Sequence, residues 1–144
     1  MLTVHHLLQM KGTDIWSVTP NTTVFDALKL MAERNIGALM VVEGGQLRGI
    51  FSERDYARKV ILHGKSSREI PVSEIMTPRV FTVHTHHTIE ECMTLMTAKH
   101  IRHLPVVEEN RVLGLISIGD VVKAVISEQE DLIKQLENYI TGAR

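Results

Sequence analysis

Apolar positions along this chain fall into short blocks, and the blocks come twice in the same order. Shifted by 65 positions, Ile15–Val60 aligns without a gap on Val80–Val125. Identical pairs include Val18/Val83, Thr23/Thr88, Met31/Met96, Ile36/Ile101, Val41/Val106, Gly49/Gly114, Ser52/Ser117 and Asp55/Asp120. So many matches in one register mark a duplicated structural unit.

Both units predict the same elements. A β-branched and aromatic strand comes first, Ile15–Val18 or Val80–Val83. A helix follows from Thr23-x-x-Asp26 or Thr88-x-x-Glu91. These are capping-box-like starts, in which the Thr oxygen accepts from a free helix N–H and the acid reaches back. Val24, Leu28 and Met31 share one helical face, as do Ile89, Met93 and Met96. Two strands come next, Leu39–Val42 with Leu47–Phe51, and Leu104–Val107 with Val112–Ile116. Gly44-Gly45 and Glu109-Asn110 suit the hairpin turns between them. A last helix starts at Ser52 or Ser117.

The connector from His63 to Arg68 is polar and loop-like. Val72–Met76 predicts a short helical turn, with Val4–Met10 as its counterpart. After Val125 the chain predicts a further helix, Ser127–Ile140, with Leu132, Leu136, Tyr139 and Ile140 on one side. The fold class expected is mixed α+β. Residues 1–65 form the first motif, 66–126 the second, and 127–144 a C-terminal helical extension, all within one module.

The 144 residues carry 44% hydrophobic and 23% charged side chains, an ordinary globular balance. A net charge of −1 gives no electrostatic reason to expect nucleic acid or an anionic membrane. No apolar stretch approaches the about 20 residues needed to span a bilayer. Met1–His6 lacks the basic start and apolar run of a signal peptide. Cys92 is the single cysteine, so a reducing compartment fits, and a cytoplasmic location is expected.

The candidate chemistry lies in Gly49–Asp55 and Gly114–Asp120, each with Ser and Asp three residues apart where a strand becomes a helix. Free N–H groups at such a junction can hold phosphate. A carboxylate one turn in can accept from both hydroxyls of a ribose, and Gly49 and Gly114 leave space near the backbone. The same Ser-x-x-Asp is also a variant capping box, stabilising by about 1 kcal/mol with no ligand. Both uses stay open on these residues alone.

Other motifs carry less. His84-Thr85-His86-His87 falls in a strand-to-helix loop with no matching Cys or acidic ligand nearby, and a metal site needs convergent ligands. Gly64-Lys65-Ser66 lacks the glycine at position 59 that a phosphate loop needs, since Lys59 stands there. Cys92 aligns with Ala27 within a helix, a packing position. No Ser/His/Asp or Cys/His set can be proposed, so an enzyme is not expected.

Gly49–Asp55 and Gly114–Asp120, with Ile101-Arg102-His103-Leu104-Pro105-Val106-Val107 and the starts Ile75-Met76-Thr77-Pro78 and Thr19-Pro20-Asn21-Thr22-Thr23, resemble the CBS domain signature. The resemblance covers about residues 4–126 as two copies. It implies a pseudo-two-fold pair, a Bateman module, with clefts that bind AMP, ADP, ATP, NAD(H) or S-adenosylmethionine. By position, Asp55 and Asp120 would hold ribose hydroxyls and Ser52 and Ser117 would sit beside phosphate. Arg54 would clamp phosphate, with Glu53 beside it. Ile36-Gly37-Ala38 and Ile101-Arg102-His103 would line the adenine pockets, and Thr22, Thr23, His87 and Thr88 would border the clefts. Arg54 is matched by Gly119, Gly37 by Arg102 and Ala38 by His103, so the clefts should differ.

The function expected is a sensor of AMP, ATP or NAD(H) acting in trans on an unknown protein effector, as a homodimer and without a catalytic cofactor. The alternatives are a ligand-free adaptor and a metal-responsive regulator through His84–His87.

Overall fold

The computed structural model describes residues 2–12 and 14–142. The first copy holds β1 (Ser17–Val18), α2 (Val24–Arg34), β2 (Ala38–Glu43), β3 (Gln46–Ser52) and α3 (Glu53–Lys59), preceded by α1 (Val4–Lys11). The second holds α4 (Ile89–Lys99), β4 (His103–Glu108), β5 (Arg111–Ser117) and α5 (Ile118–Thr141). Short 3-10 turns lie at Ile61–His63 and Val72–Glu74. The architecture is the expected mixed α/β duplication with a C-terminal helix.

Local chemistry explains the element ends. Thr88 Oγ1 accepts from Glu91 N at 3.1 Å while Glu91 Oε1 accepts from Thr88 N at 3.0 Å, a complete capping box. At α2 the cap is one-sided: Thr23 Oγ1 accepts from Asp26 N at 3.2 Å. The helices close on Asn35 and His100, both left-handed with φ 54°. Gly44 and Gly45 take φ 59° and 78°, and Glu109 and Asn110 take 49° and 63°, so both hairpins turn with the handedness that matches strand twist. Both hairpins also shift register after equivalent residues, at Val41/Val42 and Val106/Val107.

The first strand of each copy is shorter than predicted. β1 pairs parallel with β2 over Ser17 and Val18 only. In the second copy Val83 makes an isolated parallel bridge to Val106, through Val83 N to Pro105 O and Val107 N to Val83 O, both 3.0 Å. Ile15, Trp16, Val80 and Phe81 line clefts instead.

There are two apolar cores, and each borrows a segment that precedes the other copy's strands. Val24, Ala27, Met31, Leu39, Val41, Phe51 and Val60 pack with Ile70, Val72 and Ile75. Ile89, Cys92, Met96, Leu104, Val106, Ile116, Val121 and Ala124 pack with Val4 and Leu7 of α1. Packing therefore cuts across the sequence division at residue 65.

α5 runs unbroken for 24 residues, so the separate Ser127–Ile140 helix predicted from sequence is its second half. Val121 and Ala124 are buried, whereas Leu132, Leu136, Tyr139 and Ile140 are 52–86% exposed. The outer half does not fold back onto its own module.

Candidate ligand clefts

Ser52 and Asp55 join β3 to α3 through a reciprocal box. Ser52 N donates to Asp55 Oδ2 at 2.9 Å, and Asp55 N donates to Ser52 Oγ at 3.2 Å. Asp55 is the one buried charged residue among those described. Its carboxylate also accepts from Ser52 Oγ at 3.1 Å, from Thr77 Oγ1 at 3.2 Å and from Lys59 Nζ at 3.2 Å. Four donors fill the acceptor sites of a carboxylate.

Thr77 reaches Asp55 because the chain entering the second copy pairs with β3. Ile50 N donates to Thr77 O at 3.0 Å and Thr77 N to Ile50 O at 2.8 Å. Gly49 permits this approach, since a Cβ there would lie 2.6 Å from Thr77 O and 2.9 Å from Met76 Sδ. The space that Gly49 was expected to leave for a ligand is thus filled by protein. Leu8 fills the matching space at Gly114, 2.8 Å from a notional Cβ.

This pairing folds Arg79, Val80 and Phe81 over the box and closes a first cleft of about 570 Å³. Gly37, Ile50, Ser52, Glu53, Arg54, Asp55, Thr77, His100, Ile101, Arg102 and His103 complete its lining. Ile101, Arg102 and His103 therefore face the Ser52–Asp55 box of the other copy.

The second cleft, about 370 Å³, gathers Ile36, Gly37 and Ala38 with Ser117 and Asp120. Lys11, Asp14, Ile15, Trp16, Asn35, His103 and Leu115 complete it. Ser117 N donates to Asp120 Oδ2 at 2.8 Å, and Asp120 N donates to Ser117 Oγ at 3.1 Å. Lys11 Nζ also binds Oδ2, at 2.7 Å, and donates to Leu115 O. Burial works to raise the Asp120 pKa, but the hydrogen bonds from Lys11 and Ser117 and the Lys11 charge outweigh it and hold the carboxyl below its ordinary value.

His103 and Gly37 line both clefts. Burial, then the Lys11 charge and the neighbouring Arg102, push the His103 pKa down against the pull of Asp120. A neutral ring therefore stands between the two sites.

Thr22, Thr23, His87 and Thr88 are not among the residues lining either cleft. They fasten the exchanged segments. Thr22 O accepts from Val72 N at 2.8 Å and Val24 N donates to Ile70 O at 2.9 Å, with Thr23 bridged to Pro71. His87 O accepts from Val4 N at 2.9 Å and Ile89 N donates to Leu2 O at 3.1 Å, with Thr88 bridged to Thr3.

Sequence reasoning missed Thr77, Arg79, Val80 and Phe81 in the first cleft, and Lys11, Asp14, Ile15 and Trp16 in the second. Val80/Ile15 and Phe81/Trp16 are paired by the 65-residue offset, which could have flagged them as equivalent.

The rings of His84, His86 and His87 stack at 4.9–5.5 Å. His84 Nδ1 bonds Val107 O at 2.7 Å and His87 Nδ1 accepts from His84 N at 2.8 Å, so two ring nitrogens are used locally. Among the described residues no group of three or more His, Cys, Asp or Glu is arranged to hold a metal ion. Cys92 is fully buried, and burial and then Glu91 push its thiol pKa up to about 11, as a packing residue should be.

A duplicated α/β unit with two clefts, each holding a Ser-x-x-Asp box, defines a paired-domain module. The family description "CBS domain" matches residues 10–62 and again 72–127. The chain belongs to the CBS domain family, as a tandem pair. It is 43% identical over 136 residues to CBS domain-containing protein CBSX3, mitochondrial, of Arabidopsis thaliana, covering 91% of this chain and 66% of that protein's length. It is also similar to a solved protein with CBS domains from Burkholderia ambifaria MC40-6, at 51% identity and TM-score 0.84, covering 88% of this chain and 96% of the other. The CBS domain pair of protein MJ0100, solved in complex with 5′-methylthioadenosine and S-adenosyl-L-methionine, is 26% identical with TM-score 0.74, covering 85% of this chain and 98% of that one. CBS pairs are regulatory modules rather than enzymes.

Proposed function

We propose that this chain senses an adenosine nucleotide, AMP, ATP or NAD(H), and passes the occupancy of its clefts to a separate protein effector. The observation that carries this is a Ser-x-x-Asp junction opening onto a cleft in each copy, with arginines around the first. Ser52, Arg54, Asp55, Ser117 and Asp120 are the groups assigned to sugar and phosphate. Ile36–Ala38 and Ile101–His103 are assigned to the base. The adenosine ligands in the MJ0100 complex support the class. We assign no catalytic step, because the cleft carboxylates are engaged by caps and cations. A reducing aqueous compartment suits the buried thiol, whether the cytoplasm or the mitochondrion named for the Arabidopsis relative.

Calorimetry and thermal shift with AMP, ATP, NAD and NADH test this reading. Ligand at about 100 times its dissociation constant should stabilise the fold by about 2.7 kcal/mol. Neither heat nor shift with any of the four overturns it. The ligand-free adaptor is favoured by one observation, that the four bonds to Asp55 are complete within the protein, and the same titration separates the two.

A homodimer fits the surface. α5 carries Ile118, Val122 and Ile126, all 45–49% exposed, in line with Ile133, Leu136 and Ile140 further out. An apolar stripe along a helix this long is stabilised by packing on a second surface, and we assign that surface to a second copy.

A further inference from the structure

The two clefts carry opposite electrostatics, and the difference lies in charged groups that one copy has and the other lacks. Arg54, Arg79 and Arg102 all line the first cleft, against Glu53 and Asp55. All three arginines are exposed, and none forms an ion pair with a described carboxylate. The 65-residue offset replaces Arg54 by Gly119 and Arg102 by Gly37 in the second cleft. The cation there is Lys11, and it is already bound to Asp120 at 2.7 Å. Asp14 adds a second carboxylate to that lining.

Three unpaired guanidinium groups around one concave site repel each other and create a positive potential that an anion relieves. Their planar forks match phosphate oxygens in pairs. A phosphate entering the second cleft would meet Asp14 and Asp120, and could gain Lys11 only by breaking the ion pair that holds Asp120. The volumes follow the same division, about 570 Å³ against about 370 Å³.

We propose that the first cleft is the polyphosphate site, and that the second takes a phosphate-free adenosine group. This inference rests on the adenosine-binding reading above and assigns a different ligand class to each of its clefts. A single chain would then report two quantities, a nucleotide polyphosphate and a nucleoside, with His103 and Gly37 as shared walls between them.

The test uses calorimetry on the full-length protein with ATP and adenosine as probes. ATP should bind at one site per chain. Its affinity should fall roughly tenfold or more between about 0.05 M and about 0.5 M salt, as screening shortens the reach of the arginines. Adenosine titrated into ATP-saturated protein should still bind one site. The double variant R54A/R79A should weaken ATP about tenfold or more while changing adenosine at the second cleft less than about twofold, because it removes two charge-assisted phosphate contacts. Asp120→Asn, which can keep the helix cap, should abolish the adenosine site that remains under ATP and leave ATP binding intact. A melting scan without ligand confirms that each variant is folded; both arginines are exposed, so Arg54→Lys with Arg79→Lys serves as the milder pair should the alanines fail that scan.

Two equivalent ATP sites per chain would overturn the assignment. So would ATP binding that is insensitive to the arginines, or that is lost in Asp120→Asn; in these outcomes the adenosine reading survives. No binding of ATP or of adenosine would overturn both.

Discussion

Asp55 and Asp120 occupy matching positions yet are not interchangeable. Asp55 is buried, and its carboxylate accepts from Ser52 N, Ser52 Oγ, Thr77 Oγ1 and Lys59 Nζ. Asp55→Ala should therefore destabilise the fold by roughly 2–4 kcal/mol, since it leaves several part-buried donors without an acceptor. Asp120→Ala should cost only about 1 kcal/mol, the worth of a helix cap, while weakening ligand at the second cleft. Urea denaturation beside calorimetry checks both, and equal stability losses would contradict the distinction. His103 gives a pH signature. Its folded pKa lies below the ordinary 6.5, so the unfolded chain takes up the proton first as pH falls. Its contribution is fully present above 6.5 and declines as pH drops from there towards the folded value. Asp120, depressed below its ordinary 3.8, acts in the same direction at lower pH, contributing stability above 3.8 that is lost as pH falls through its folded value. His103→Gln should flatten the stability profile just below pH 6.5 without altering the acid limb. A profile unchanged by the substitution would remove His103 as its source.

Among the elements, α5 has two jobs divided along its length. Its first turns carry the Ser117–Asp120 cap and bury Val121 and Ala124 in the second core. Its second half leaves Leu132, Ile133, Leu136, Tyr139 and Ile140 more than half exposed. A projecting half-helix with an apolar side is marginal without a partner. Truncation after Ser127 should leave ligand binding and the cores intact but convert a full-length dimer to monomer, as light scattering over a concentration series will read. A dimer that survives truncation would move the interface elsewhere on the surface.

For the whole molecule, the exchange of segments makes the two copies mutually dependent. A fragment of residues 1–66 contains the first motif by sequence but lacks Ile70, Val72 and Ile75, three buried members of its core. A fragment of residues 12–76 keeps that core complete. Losing even one such side chain costs about 2–5 kcal/mol, against a total stability of about 5–15. Thermal melts should show a cooperative transition for the second fragment and none for the first. A cooperative 1–66 fragment would mean that the exchanged segment is dispensable.

The sequence alone determined what depends on neighbours a few residues away. Thr88 and Glu91 announce a helix start because their bonds span three residues. Gly44-Gly45 announces a hairpin because the turn needs left-handed backbone at both positions. The 65-residue repeat carried the duplication, and with it the family and the pairing of Ser52–Asp55 with Ser117–Asp120. Tertiary structure decided which residues surround those boxes. Arg79 and Phe81 enter the first cleft only because Thr77 pairs with Ile50, 27 residues away along the chain. Lys11 reaches Asp120 only because α1 packs into the second core. Thr22, Thr23, His87 and Thr88, which looked like cleft borders by position, turn their backbones to the exchanged segments instead. Such contacts are fixed by where buried side chains such as Val4, Leu7, Val72 and Ile75 find their core, and that placement is written in no local pattern.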